Sequence, residues 1–169
     1  MQLDAAGTVP DIMKLTPGSK SEAQAIVQTP ANEGSNGAAM SPDGRWLAYA
    51  SDTTGQLEIW VRPYAAPGPP VRVSPNGGIE PIWARNGREL FYLEGTKLMS
   101  VAVDARTDFS FKPAAVLFDS PYVRGGQPPS YDVAPDGRFV MIKAANPRAS
   151  VTPVTIVLNW AEKLRPSPR

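Results

Sequence analysis

Short apolar runs separated by tight turns dominate the hydrophobic pattern of the chain. Three of these runs each follow a turn sequence that ends in Gly-Arg, at Trp46 to Ala50, Leu90 to Leu93 and Phe139 to Ile142. Each run is apolar at successive positions, which indicates a strand covered on both faces rather than on one. The pattern therefore predicts an all-β protein made of short antiparallel strands.

The turns that precede these runs are copies of one another. They are Ser41-Pro42-Asp43-Gly44-Arg45, Ala84-Arg85-Asn86-Gly87-Arg88 and Ala134-Pro135-Asp136-Gly137-Arg138. Asp or Asn followed by Gly is typical of a hairpin turn in which the Gly takes a left-handed conformation. Asp43, Asn86 and Asp136 are therefore expected to serve the turns, and the Arg that follows each Gly is expected to pair locally.

The spacing of the turns predicts the architecture. They begin at positions 41, 84 and 134, which are 43 and 50 residues apart, close to the roughly 40 to 50 residues of one β-propeller blade. Inner strands are predicted at Gly37 to Met40, Glu80 to Trp83 and Ser130 to Val133, third strands at Gln56 to Arg62, Lys97 to Val103 and Pro153 to Asn159, and outer strands at Ala25 to Gln28, Val71 to Val73 and Ala114 to Phe118.

These strands describe a single partial propeller domain over residues 1–169. Residues 1–30, with a strand at Asp11 to Leu15, would supply the outer strands of an incomplete blade. Residues 31–74, 75–118 and 119–165 would form three four-stranded antiparallel blades. The one helical turn is expected to follow Asn159.

Two groups of motifs carry a family resemblance. Ser41-Pro42-Asp43-Gly44-Arg45 and the following Ala48-Tyr49-Ala50-Ser51-Asp52 resemble the TolB-type, WD-repeat-like β-propeller family. Gln28 to Gly34, Gly87 to Leu93 and Ile156 to Trp160 are similar to the C-terminal propeller region of bacterial eukaryotic-like serine/threonine kinases. The resemblance implies the fold and says little about function, since propellers serve many functions. The chain has no Gly-rich nucleotide loop and no kinase catalytic loop, so kinase activity is excluded.

An isolated run of three blades leaves two apolar blade faces open. Closed propellers usually have four to eight blades, and large exposed apolar patches commonly mark interfaces. We therefore expect two copies to associate through these faces as a homodimer that approximates a six-bladed ring. The N-terminal half-blade is also compatible with a fragment of a longer reading frame.

The composition removes several classes of function. The chain has no Cys and no His, so disulfides, Ser-His-Asp and Cys-His sites and ordinary zinc sites are excluded. With 17 Lys and Arg against 16 Asp and Glu, the formal net charge is +1, which disfavours nucleic-acid binding. Neither an apolar span nor a signal-peptide pattern is visible, so no membrane insertion and a cytoplasmic location are expected. Related full-length propellers also suggest an extracytoplasmic location.

Polar side chains at the inner strands are the candidates for a site. We expect a non-catalytic binding or interaction module, with no required cofactor, that recognises a small ligand or a protein at the channel face. The proposed ligand-binding residues are Glu33, Asn36, Arg124 and Tyr131.

The alternative is a calcium-dependent hydrolase, a lactonase or an esterase. In this alternative Glu33, Glu80 and Asp132 would hold calcium, and Glu80 and Asp132 would be the catalytic residues around the activated water. It follows a similarity to calcium-dependent propeller lactonases, which commonly also carry histidines that this chain lacks.

Overall fold

The computed structural model describes residues 10–18, 22–64, 66–119 and 129–142, and these residues form thirteen strands without a helix. The prediction of an all-β protein is confirmed. The strands are β1 Ile12–Lys14, β2 Gln24–Val27, β3 Glu33–Met40, β4 Trp46–Ser51, β5 Glu58–Pro63, β6 Val71–Arg72, β7 Ile79–Trp83, β8 Glu89–Glu94, β9 Lys97–Asp104, β10 Ser110–Phe111, β11 Ala115–Asp119, β12 Tyr131–Val133 and β13 Phe139–Met141.

The strands form two larger antiparallel sheets and two hairpins. The first sheet has the strand order β3-β4-β5-β6. The second sheet has the order β10-β9-β8-β7, and β11 also pairs with β9. The hairpins are β1–β2 and β12–β13. Each larger sheet is a meander in which strands that are consecutive in the chain are neighbours, because short turns connect antiparallel strands.

These units pack in chain order, with each sheet covered on both faces. The β1–β2 hairpin covers one face of the first sheet through a cluster around Val27, Leu47 and Tyr49. The opposite face of the first sheet packs on the second sheet through a cluster that includes Ala48, Ile59, Val61, Leu90, Tyr92 and Val101. The far face of the second sheet packs on β12–β13, where the Phe91 and Phe139 rings lie 5.0 Å apart.

The first two apolar runs behave as expected, and the third differs. Every residue of β4 is buried, as are Leu90 to Leu93 in β8, because each strand lies between covered faces. On β13, however, Val140 is 68% exposed, and Ile142 just beyond it is 56% exposed. The expectation of burial on both faces is therefore wrong for this run: the β12–β13 hairpin is an outermost layer among the described residues. The predicted strand Pro153 to Asn159 and the helical turn after Asn159 lie outside them.

The three repeated turns have the same hydrogen bonds, as the sequence predicts. In each, the Gly N–H donates to the carbonyl three residues earlier, and the Asp or Asn side chain accepts from the following Arg N–H. The distances are 2.8, 2.9 and 3.0 Å for Gly44, Gly87 and Gly137, and 3.1, 2.9 and 3.1 Å for Arg45, Arg88 and Arg138. All three glycines have positive φ, between 68° and 82°.

The turn arginines do not all stay local. Arg138 pairs with its own turn carboxylate, Asp136, at 2.7 Å. Arg45 lies 3.6 Å from Asp43, but its guanidinium also donates to the carbonyls of Ala105 at 2.6 Å and Arg106 at 2.7 Å. The local-pairing prediction is thus incomplete for Arg45, whose side chain joins the first sheet to the loop after β9.

Candidate functional site

Equivalent positions of the repeat meet where the inner strands lie side by side. Gly37 of β3, Glu80 of β7 and Ser130 next to β12 each lie four residues before a repeated turn. Gly37 has φ of 108°, and a Cβ built on it would lie only 2.9 Å from the Glu80 Cα. Because no side chain fits at position 37, the two larger sheets can approach closely at this point.

Glu80 links the second sheet to the β12–β13 hairpin. Its side chain is buried, and its Oε2 atom accepts hydrogen bonds from the Ser130 N–H at 2.7 Å and the Ser130 hydroxyl at 2.6 Å. The Tyr131 hydroxyl donates to the Glu80 carbonyl at 2.8 Å. Burial raises the pKa of Tyr131 well above its ordinary value, and the nearby Glu80 charge adds to the shift. Tyr131 therefore stays a neutral donor at physiological pH.

The backbone of Glu80 is strained, and the hydrogen bonds to its carboxylate compensate for this strain. Its φ is 55°, and it is the one non-Gly residue with positive φ in the described part of the chain. For a residue with a Cβ, this conformation costs about 1–2 kcal/mol. Hydrogen bonds to a charged acceptor contribute about 1.5–3 kcal/mol each, which outweighs the strain.

The other candidate residues from the sequence do not gather around Glu80. Glu33 lies at the start of β3, where its Oε1 accepts from the Thr29 hydroxyl at 2.5 Å and its buried Oε2 has no partner in the described part of the chain. Asn36 donates to the Ser35 hydroxyl at 3.3 Å. Asp132 is exposed and accepts from the Val133 N–H at 2.7 Å. Arg124 lies outside the described residues. Of the described candidates, Glu80 and Tyr131 are the pair in direct contact.

The carboxylates do not form the calcium site considered from the sequence. No group of three or more Asp or Glu side chains that could hold a metal ion occurs within residues 10–18, 22–64, 66–119 and 129–142. Calcium takes six to eight oxygen ligands, whereas Glu33, Glu80 and Asp132 each accept a hydrogen bond from a different neighbour. Among the described residues, these three carboxylates are therefore not brought together around one ion.

A further buried carboxylate, Glu58, also has a structural role. It is fully buried and accepts hydrogen bonds from Thr54 at 2.6 Å, Gln56 at 3.0 Å and Arg72 at 3.2 Å. Burial alone would raise the pKa of Glu58. The hydrogen bonds from Thr54 and Gln56, together with the Arg72 charge, outweigh burial and lower the pKa below its ordinary value.

An ion pair that is not predicted from the sequence lies at the end of β9 in the second sheet. Arg106 donates to both carboxylate oxygens of Asp104, at 3.0 and 2.7 Å, and this pairing lowers the pKa of Asp104 to about 2. Asp104 and Arg106 line a cavity of about 540 Å³ together with Asp43 and Arg88. The Asp-x-Arg spacing of Asp104 and Arg106 is a sequence signal for this pair, since the same spacing occurs at Asp43 and Asp136. At those two positions the middle residue is the Gly of a repeated turn, whereas here it is Ala105.

A groove that is also not predicted from the sequence, here called the outer groove, lies between the outer edges of the two larger sheets. Its volume is about 630 Å³, and its lining includes Val73, Tyr92, Glu94, Met99, Phe111 and Val116. The aromatic residue Tyr92 belongs to the core, as its strand spacing predicts. No local signal shows that its buried hydroxyl lacks a hydrogen-bond partner.

Neither a scan against models of known protein families nor a search of curated proteins finds a match to this chain. Within the described residues, no helix is long and apolar enough to cross a membrane.

Proposed function

We propose that the chain is part of a TolB-type β-propeller and works as a non-catalytic interaction module, with a second copy of itself as a partner. The fold proposal rests on the repeat. Two successive meanders have the same turns, and repeat-equivalent residues of neighbouring units touch: Gly37 lies against Glu80, and Glu80 binds Ser130. Contacts between inner strands of neighbouring units are expected when blades are arranged around an axis.

The observation that carries the interaction proposal is the exposure of apolar side chains on both outermost layers. Leu15, just after β1, is 75% exposed, and Met13 is 44% exposed. At the other end of the stack, Val140 and Ile142 are 68% and 56% exposed. A two-fold axis would bring the β1–β2 end of each copy against the β12–β13 end of the other, so that each contact occurs twice.

The candidate carboxylates support a binding role over a catalytic one. Glu80 accepts two hydrogen bonds from Ser130 through one oxygen, and its carbonyl oxygen accepts from Tyr131. These contacts hold two layers together and occupy one carboxylate oxygen of Glu80. Glu33, Asn36, Arg124 and Tyr131 remain the proposed residues for recognition of a small ligand or a protein. The Tyr131 hydroxyl donates to the Glu80 carbonyl, so Tyr131 would help to position the site.

Light scattering of the full chain tests the interaction proposal. We expect a mass of twice the 18.1 kDa of one chain at micromolar concentration. Val140→Asp should return the protein to a monomer, because it places a charge in the apolar contact. The matched control is Leu117→Asp, since Leu117 is also exposed, at 44%, but belongs to β11 of the second sheet rather than to either end layer. A monomeric wild type, or a dimer that survives Val140→Asp, would contradict the proposal.

A further inference from the structure

Two polar side chains on β8 have no hydrogen-bond or ion-pair partner among the described residues. Tyr92 is fully buried, and its hydroxyl makes no hydrogen bond within this part of the chain. Glu94 lies two residues further along the strand and hence on the same face. Among the described residues, no ion pair or side-chain hydrogen bond involves the Glu94 carboxylate. Burial raises the pKa of Tyr92 to about 12, and the charge of the nearby Glu94 contributes to the shift.

Both residues line the outer groove, whose other walls are mainly apolar. Val73 comes from the end of the first sheet, Met99 from β9, Phe111 from β10 and Val116 from β11. Phe111 and Val116 are exposed. Glu94 is the one lining residue with a formal charge. A volume of about 630 Å³ lies within the range of about 300–1,000 Å³ that small-molecule sites occupy.

We propose that the outer groove binds a small organic amine. The ammonium group pairs with the Glu94 carboxylate and donates to the Tyr92 hydroxyl oxygen, while an aromatic or aliphatic body lies against Met99, Phe111 and Val116. The charge of the groove favours a cation over an anion, since no basic side chain lines it to receive a carboxylate or a phosphate. A buried hydroxyl without a partner is costly, and a ligand donor would remove that cost.

This site is separate from the surfaces of the proposed function. It lies at the outer edges of the two larger sheets, whereas the proposed dimer contact uses Leu15 and Val140 on the end layers. The described residues proposed for ligand recognition, Glu33, Asn36 and Tyr131, lie on β3 and β12. Amine binding and dimer formation can therefore fail independently.

Titration calorimetry with three probes of similar shape tests whether the groove recognises an ammonium group. We expect saturable binding of benzylamine, binding of benzyl alcohol weaker by about tenfold or more, and no binding of benzoate. Equal affinity for benzylamine and benzyl alcohol would overturn the proposal, as would the absence of benzylamine binding, because the site would then not recognise an ammonium group.

Variants of Glu94 and Tyr92 test whether benzylamine binds in the outer groove. Glu94→Gln should weaken benzylamine binding about tenfold and remove the preference over benzyl alcohol. The matched control Glu22→Gln, at an exposed position outside the groove lining, should leave both affinities unchanged. Tyr92→Phe should weaken benzylamine binding while the protein unfolds at an equal or higher temperature, since the lost hydroxyl had no partner. Benzylamine binding unchanged in both Glu94→Gln and Tyr92→Phe would overturn the assignment to this groove.

Discussion

Glu80→Gly and Glu80→Ala together separate the effect of the carboxylate hydrogen bonds from the effect of backbone strain at the junction of the second sheet and the β12–β13 hairpin. Both substitutions remove the carboxylate and leave the two Ser130 donors without their acceptor. At about 1.5–3 kcal/mol for each hydrogen bond to a charged group, we expect either variant to lose about 3–6 kcal/mol of unfolding free energy. That is a large fraction of the roughly 5–15 kcal/mol of an ordinary domain.

The difference between the two variants reports on the backbone. At an ordinary strand position Gly is less stable than Ala by about 0.5–1 kcal/mol. At position 80, where φ is 55°, Ala keeps a left-handed strain of about 1–2 kcal/mol that Gly avoids. The order should therefore reverse, with Glu80→Gly more stable than Glu80→Ala by about 0.5–1 kcal/mol.

Urea unfolding followed by tryptophan fluorescence measures this difference, because Trp46 and Trp83 are buried in the core shared by the two larger sheets. Ala102→Gly is the matched control, since Ala102 is an exposed position within β9, and there Gly should destabilise in the usual direction. If Glu80→Ala proves the more stable of the two variants at position 80, the left-handed conformation and the junction built on it are refuted.

Three further outcomes are expected. Arg45→Met should lower the unfolding free energy by about 1–2 kcal/mol, because two hydrogen bonds to another unit are lost. The repeat-equivalent Arg138→Met, which loses an exposed local pair, should lower the unfolding free energy by only about 0–1 kcal/mol. Equal losses for the two variants in urea unfolding would contradict this account. Because the pKa of Glu58 is lowered from 4.5, the stability that Glu58 contributes is complete above that pH and is lost as the pH falls through the lower folded-state pKa. In thermal unfolding at several pH values, Glu58→Gln should therefore lose less stability at acid pH than the wild type. Identical pH profiles for the two proteins would contradict this role of Glu58. A lactone panel should give no turnover that is sensitive to a calcium chelator, and turnover that is lost in Asp132→Ala would instead establish the hydrolase alternative.

The strand pattern could be predicted because it depends on local signals. Asp or Asn followed by Gly fixes the turns at Asp43, Asn86 and Asp136, and the apolar runs after them fix β4, β8 and β13. These signals depend on residues within a few positions of one another, so they do not depend on what each unit packs against. The predicted third strand of the third blade, Pro153 to Asn159, lies outside the described residues.

The contacts between units could not be predicted in the same way. Arg45 and Arg138 lie in turns that differ only in their first residue, Ser41 or Ala134. Among the described residues, Arg45 reaches carbonyls of another unit and Arg138 does not, because the loop after β9 lies within reach of Arg45. Gly37 and Glu80 are 43 residues apart in sequence, and their contact depends on how closely two sheets approach. Glu80 was a candidate for chemistry from its residue type alone, whereas its hydrogen bonds give it a structural role.

The central claim is that the two end layers of the stack meet between copies, and cross-linking tests it most directly. The natural chain has no Cys, so Leu15→Cys and Val140→Cys each provide a single reactive thiol on opposite end layers. A mixture of the two variants, treated with a short thiol-specific cross-linker, should give a covalent dimer in far higher yield than either variant alone. Equal yields from the mixture and the separate variants, or no dimer in the mixture, would contradict the claim.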